Sequence, residues 1–152
     1  MSNNNFKEIF ECMKKYDNIL IAGHKNPDGD SVGSSVALGL ALTHLGKNVT
    51  MYMKDLPVEH KILKGTYLYT SNPSDTYDLV VVVDCADDQR YEIKEQFKNA
   101  KETINIDHHK DNPMFATYNY VDSNASSASD SDVTFLQKLS GSSPALISYA
   151  GT

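Results

Sequence analysis

Several things are scarce in this chain, and each scarcity narrows its function. Only Cys12 and Cys85 are present among 152 residues. They form no CxxC pair and no disulfide framework, so the pattern suits a reducing compartment. Each reads as a small buried apolar residue. No apolar stretch approaches the ~20 residues needed to span a bilayer. The start, Met1 to Asn5, is polar and no apolar run follows it, so it does not read as a secretory signal. The expected location is therefore the cytoplasm, with no membrane partner. Positive charge is also short: 14 Lys and Arg stand against 20 Asp and Glu, a net charge of -6. Broad binding to long duplex nucleic acid draws on clustered Lys and Arg, and that partner is not expected. A small anionic substrate stays open, because a bound divalent metal inverts the local sign inside an acidic cleft.

What is present reads as one domain with a real core. Hydrophobic residues make up 40% and charged residues 22%, ordinary values for a globular chain. Phe6, Ile9, Phe10 and Met13 recur at helical spacing, which predicts a helix over about residues 5–16. Asn18 to Gly23 reads as a buried strand. A heavily buried helix is expected from Asp30 to Leu45, with Asp30 or Ser31 as N-cap and Gly46 as its stop. Asn48 to Met53 reads as a second strand, and residues 57–63 as a short helix with Pro57 in its first turn. The run "LVVVV" within Asp78 to Asp84 is apolar throughout, as in a strand covered on both faces. Residues 91–100 read as an exposed helix, Thr103 to Ile106 as a strand, and Phe115 to Val121 as another. Strand and helix signals alternate, which predicts an α/β fold with a mainly parallel sheet flanked by helices.

Three of these strands run into residues of the metal-ligand type. The first leads to His24, Asp28 and Asp30. The second leads to Asp84, with Asp87 and Asp88 behind it. The third leads to Asp107, His108 and His109. Ligands of parallel α/β sheets bind outside the carboxyl ends of the strands. If the three are neighbours, about five carboxylates and three imidazoles surround one crevice. So many like charges need neutralising, and divalent metal is the simplest remedy. Mixed His and carboxylate donors suit Mn²⁺, Fe²⁺, Co²⁺ or Zn²⁺ better than the oxygen shells of Ca²⁺ or Mg²⁺. The ligand number suggests two ions, a standard device for phosphate-ester hydrolysis.

Other readings of the first cluster fail on particular residues. A GxxxxGK[ST] phosphate loop needs Lys after its second glycine, where Ser34 stands. An EF-hand loop beginning at Asp28 matches at Asp30 and Gly33 but fails at Val32 and Gly39. No GxGxxG fingerprint occurs. His44, His60, Asp87 and Asp88 read as solvated side chains.

"HKNPDGD" at His24–Asp30, "VVVDCAD" at Val81–Asp87 and "IDHH" at Ile106–His109 resemble the first three motifs of the DHH phosphoesterase superfamily. "YVDSNASSAS" at Tyr120–Ser129 resembles the Ser-rich segment that follows them. The likeness is greatest to the nanoRNase/pAp phosphatase (NrnA-like) branch. It implies that His24 and Asp28 hold one Mn²⁺-type ion, that Asp30 and His108 hold a second, and that Asp84 bridges them. It makes His109 a catalytic residue facing the scissile phosphate and Asp107 the group that orients this pair. Asn26, Ser126 and Ser127 become candidate substrate contacts. The implied reaction is hydrolysis of short oligoribonucleotides and of 3′-phosphoadenosine 5′-phosphate. Cyclic dinucleotides or pyrophosphate are the alternatives within the same superfamily, and a homodimer stays open.

The resemblance departs at the C-terminal side. The family's fourth motif, a segment like "YAGIxTDTG", supplies a further metal-binding Asp, whereas this chain reads "SYAGT" and stops. Its companion C-terminal domain (DHHA1) is not found either. Residues 1–152 are therefore expected to be a DHH domain incomplete at its C-terminal end. A metal- or nucleotide-binding fragment with little turnover is the corresponding alternative function.

Overall fold

A computed structural model of the chain describes residues 6–23, 29–52, 69–70, 72–83, 93–107 and 115–121, with backbone alone for residues 6, 29–34 and 37. In chain order the elements are α1 (Phe6–Lys15), β1 (Asn18–Ala22), α2 (Gly29–His44), β2 (Asn48–Tyr52), β3 (Tyr69–Thr70), β4 (Leu79–Val83), α3 (Lys94–Asn99), β5 (Glu102–Asp107) and β6 (Tyr118–Val121). The strands form one six-stranded sheet in the order β3-β2-β1-β4-β5-β6, and every pairing is parallel. The expected α/β class with a parallel sheet is what the chain adopts.

Alternation along each strand sorts the side chains onto two faces. Ile19, Ile21, Val49, Met51, Leu79, Val81, Val83, Ile104 and Ile106 meet Ile9 and Met13 of α1 and Leu38, Ala41 and Leu42 of α2 in the larger core. Leu20, Ala22, Val80 and Val82 point the other way, onto Tyr77, Ile93 and the half-buried Phe97 and Phe115. Helices thus cover both faces. That is why "LVVVV" is apolar at every position, with all five residues of β4 buried.

α2 is buried over much of its described surface, at Ser35, Val36, Leu38, Leu40, Ala41 and Leu42. Its end is a Schellman turn. Gly46 adopts φ +88°, Gly46 N–H donates to Thr43 O at 2.9 Å and Lys47 N–H to Leu42 O at 3.1 Å. Only glycine takes that left-handed position without strain. Gly39 marks a close approach of the same helix to β2: a Cβ there would lie 2.8 Å from Met51 Sδ.

Most expected elements appear within a residue or two, and three differences have physical causes. β5 runs one residue further at each end than the apolar run, because the polar Glu102 and Asp107 also pair in the ladder. β6 begins at Tyr118 instead of Phe115. Thr103 and Thr117 replace the ladder there by exchanging bonds: Thr103 N–H donates to Thr117 Oγ1 at 3.1 Å and Thr117 N–H to Thr103 Oγ1 at 2.8 Å. Phe115 instead packs against Phe97, ring centroids 5.7 Å apart. β3 has no sequence signal of its own. It is two residues long and exists through pairing with Met51 and Tyr52. The helix expected over 57–63 lies outside the described residues. Among the described residues no helix is long and apolar enough to cross a membrane.

Candidate metal centre

The strand order reverses direction between β1 and β4. From β1 the chain moves outward through β2 to β3, then returns to β4 on the other side of β1. Such a switch point opens a crevice at the carboxyl ends of the strands, because the two connections leave in opposite directions. β1, β4 and β5 are consecutive neighbours, and their registers pair Ala22 with Val82 and Val83 with Ile106. The three strands therefore end nearly level. The residues that follow them in sequence are Gly23-His24, Asp84 and, after Asp107, His108-His109. The convergence anticipated from the motifs requires this adjacency, and the fold supplies it.

Asp107 closes β5 and is fully buried. A carboxylate in that position needs partners, and Asp107 does engage other groups. Asp30 is the second residue of α2, in its first turn. His24, Asn26, Asp28, Asp84, His108, His109, Ser126 and Ser127 lie outside the described residues. Among the described residues no group of three potential metal ligands comes together, since all but one of the expected ligands fall beyond them and the side chain of Asp30 is not described. The donor set itself is coherent for a divalent ion: imidazoles and carboxylates that follow adjacent strands in the sequence, with one carboxylate in the first turn of a helix.

Sequence reasoning passed over a polar row on the same strand. Thr103, Asn105 and Asp107 alternate with Ile104 and Ile106, and all five are buried. The signal was the period-2 alternation in "TINID". A strand read only for its apolar residues hides it. Tyr69, also missed, sits on β3 one strand beyond β2. Burial pushes its phenol up to about 12, and the Ser35 hydroxyl beside it acts in the opposite direction.

The opposite end of the sheet has different chemistry. A cavity of about 620 Å³ lies between α1 and the starts of β5 and β6, lined in part by Lys7, Cys12, Glu102 and Tyr118. Glu102 is its hub: Tyr16 Oη donates to Oε1 at 2.6 Å, Lys15 Nζ at 3.2 Å, and Cys12 Sγ to Oε2 at 3.6 Å. The Tyr16 hydrogen bond leads in holding the Glu102 carboxyl below the usual range, against partial burial. Burial, and then the Glu102 charge, push the Cys12 thiol up to about 12. That keeps it an uncharged core residue, as its pattern suggested.

A parallel α/β domain whose sequence carries imidazole and carboxylate residues just after the strands that flank its switch point belongs to the broad class that binds small ligands beyond its strand ends. Comparison with known proteins narrows this. The model of the DHH family, N-terminal domain, matches residues 18–150, and the chain belongs to that family. It is 36% identical over 96% of its length to a protein named probable bifunctional oligoribonuclease and PAP phosphatase NrnA from Streptococcus mutans, covering 48% of that protein. The solved structure of an exopolyphosphatase-related protein from Bacteroides fragilis superposes with a TM-score of 0.78 at 20% identity, over 88% of this chain and 43% of that one. Exonuclease RecJ bound to manganese superposes with a TM-score of 0.60 at 15% identity, over 93% of this chain and 38% of RecJ. The likeness to these two structures concerns the fold. The chain spans less than half the length of the curated relatives it matches.

Proposed function

We propose that this chain is the metal-binding domain of a cytoplasmic phosphoesterase acting on short oligoribonucleotides and on 3′-phosphoadenosine 5′-phosphate. The observation that carries the reading is the level ending of β1, β4 and β5 at the switch point. It allows the His24–Asp30, Asp84 and Asp107–His109 motifs to act on one ligand. The names of the S. mutans relative and of RecJ support the substrate class and the metal.

In this reading His24 and Asp28 would hold one divalent ion, most simply Mn²⁺, Asp30 and His108 would hold another, and Asp84 would be shared between them. When bound, the pair would supply charge neutralisation at the phosphate and an acidified water. His109 faces the scissile phosphate, as a substrate contact or as the proton donor to the leaving oxygen. Asp107 orients the adjoining imidazoles. Asn26, Ser126 and Ser127 contact the nucleotide. The net charge of -6 suits a small ester better than a long duplex.

Manganese-dependent release of mononucleotides from a diribonucleotide, and of phosphate from 3′-phosphoadenosine 5′-phosphate, is the expected result for the chain extended to its relatives' length. Cleavage of cyclic dinucleotides or pyrophosphate in preference to both would move the substrate within the superfamily. Failure on every phosphoester would sink the reading. A second reading, metal and nucleotide binding with little turnover, is favoured for the 152 residues themselves by their covering 48% of the S. mutans relative. It expects Mn²⁺ binding by this chain and markedly slower hydrolysis than by the extended one.

A further inference from the structure

Asn105 is fully buried in β5, and neither its Oδ1 nor its Nδ2 has a hydrogen-bond partner among the described residues. Leaving such groups unmade is costly. Its cross-strand neighbours do not relieve it. Val82 on β4 is apolar, and Asn119 on β6 turns its amide to Ala116, accepting from N–H at 3.3 Å and donating to O at 3.0 Å. Thr103, one step back on the same face, is satisfied by Thr117. An aliphatic residue would fit the face that Val80 and Val82 build beside it and would remove the unpaired groups.

The direction of the row supplies a use for the amide. Asn105 lies two residues before Asp107 on the same face, level with Ala22 at the end of β1 and one position inside the end of β4. Two residues along a parallel strand span about 6.6 Å, a gap that an amide and a carboxylate leaning toward each other can close.

We propose that Asn105 is a positioning residue whose Nδ2 donates to the Asp107 carboxylate when the metal centre is loaded, holding Asp107 against the imidazoles that follow it. The inference rests on the metal reading above and deepens it. Without that bond the buried amide costs stability, and with it the amide orders Asp107.

The test uses Asn105→Val and Asn105→Thr, which share a shape and differ by a hydroxyl. Melting temperature is measured without metal, and Mn²⁺ affinity by calorimetry on the same samples. Asn105→Val is expected to melt higher than wild type in the absence of metal and to bind Mn²⁺ about tenfold more weakly, a typical loss when a group orienting a ligand set is removed. Asn105→Thr is expected to recover part of that affinity. Combining Asn105→Val with Asp107→Asn is expected to be non-additive. Equal affinities for the Val and Thr variants would overturn the proposal, even if both fold less well. So would a lower metal-free melting temperature for Asn105→Val with unchanged affinity, which would mark a structural role. A wild-type chain that binds no Mn²⁺ would overturn this inference together with the metal reading. Binding by wild type that neither substitution weakens would overturn this inference alone.

Discussion

At the residue scale, two carboxylates at opposite ends of β5 do opposite work. Asp107 is buried beside the residues expected to hold metal. Glu102 is half-buried in a network of Tyr16, Lys15 and Cys12, and its role is to tie α1 to the sheet. Its carboxyl is held below the usual range, chiefly by the Tyr16 hydroxyl. A group whose pKa is lower in the folded than in the unfolded chain favours folding most above its unfolded value. That contribution is lost as pH falls through the folded value. Wild type should therefore out-melt Glu102→Gln near neutrality, and the difference should shrink between about pH 6 and pH 3. Thermal melts of both proteins across that range check it. A constant or widening gap would count against the network.

At the element scale, α2 is both the most deeply packed helix and the carrier of Asp30. Its seat on β2 depends on Gly39, where a Cβ would meet Met51 Sδ at 2.8 Å. Met51 is itself fully buried, so a branched side chain has nowhere to go. Gly39→Val is expected to lose about 1–3 kcal/mol by overpacking, measured by denaturant unfolding. A neutral result would mean that Met51 repacks freely. The elements themselves were largely legible in the sequence. Helical spacing at Ile9 and Met13, the uniform "LVVVV", and Gly46 as a stop each have a local cause that survives folding. What was not legible depends on partners. β3 exists through Met51 and Tyr52, and the start of β6 was set by the Thr103–Thr117 exchange. The strand ends could be read as ligand-bearing from His24, Asp84 and His108. That they are neighbours follows from an order no single strand encodes.

At the scale of the molecule, the fold separates two ends of one sheet. The amino ends of β5 and β6 meet α1 around Glu102, and the carboxyl ends of β1, β4 and β5 open at the switch point. Asn105 shows how the second end reaches into the core: a buried amide without a hydrogen-bond partner among the described residues lies two residues before Asp107 on the same strand. The central claim is that the three level strand ends build one divalent-metal centre, and calorimetric titration of Mn²⁺ into wild type and Asp84→Asn tests it most directly. Losing a ligand shared by two ions should weaken binding well beyond the roughly 10–100-fold expected for a group outside the ligand set. The account predicts saturable binding to wild type and its near-complete loss in Asp84→Asn, with both proteins folded in the absence of metal. Undetectable binding to wild type, or equal binding to the two, would contradict it.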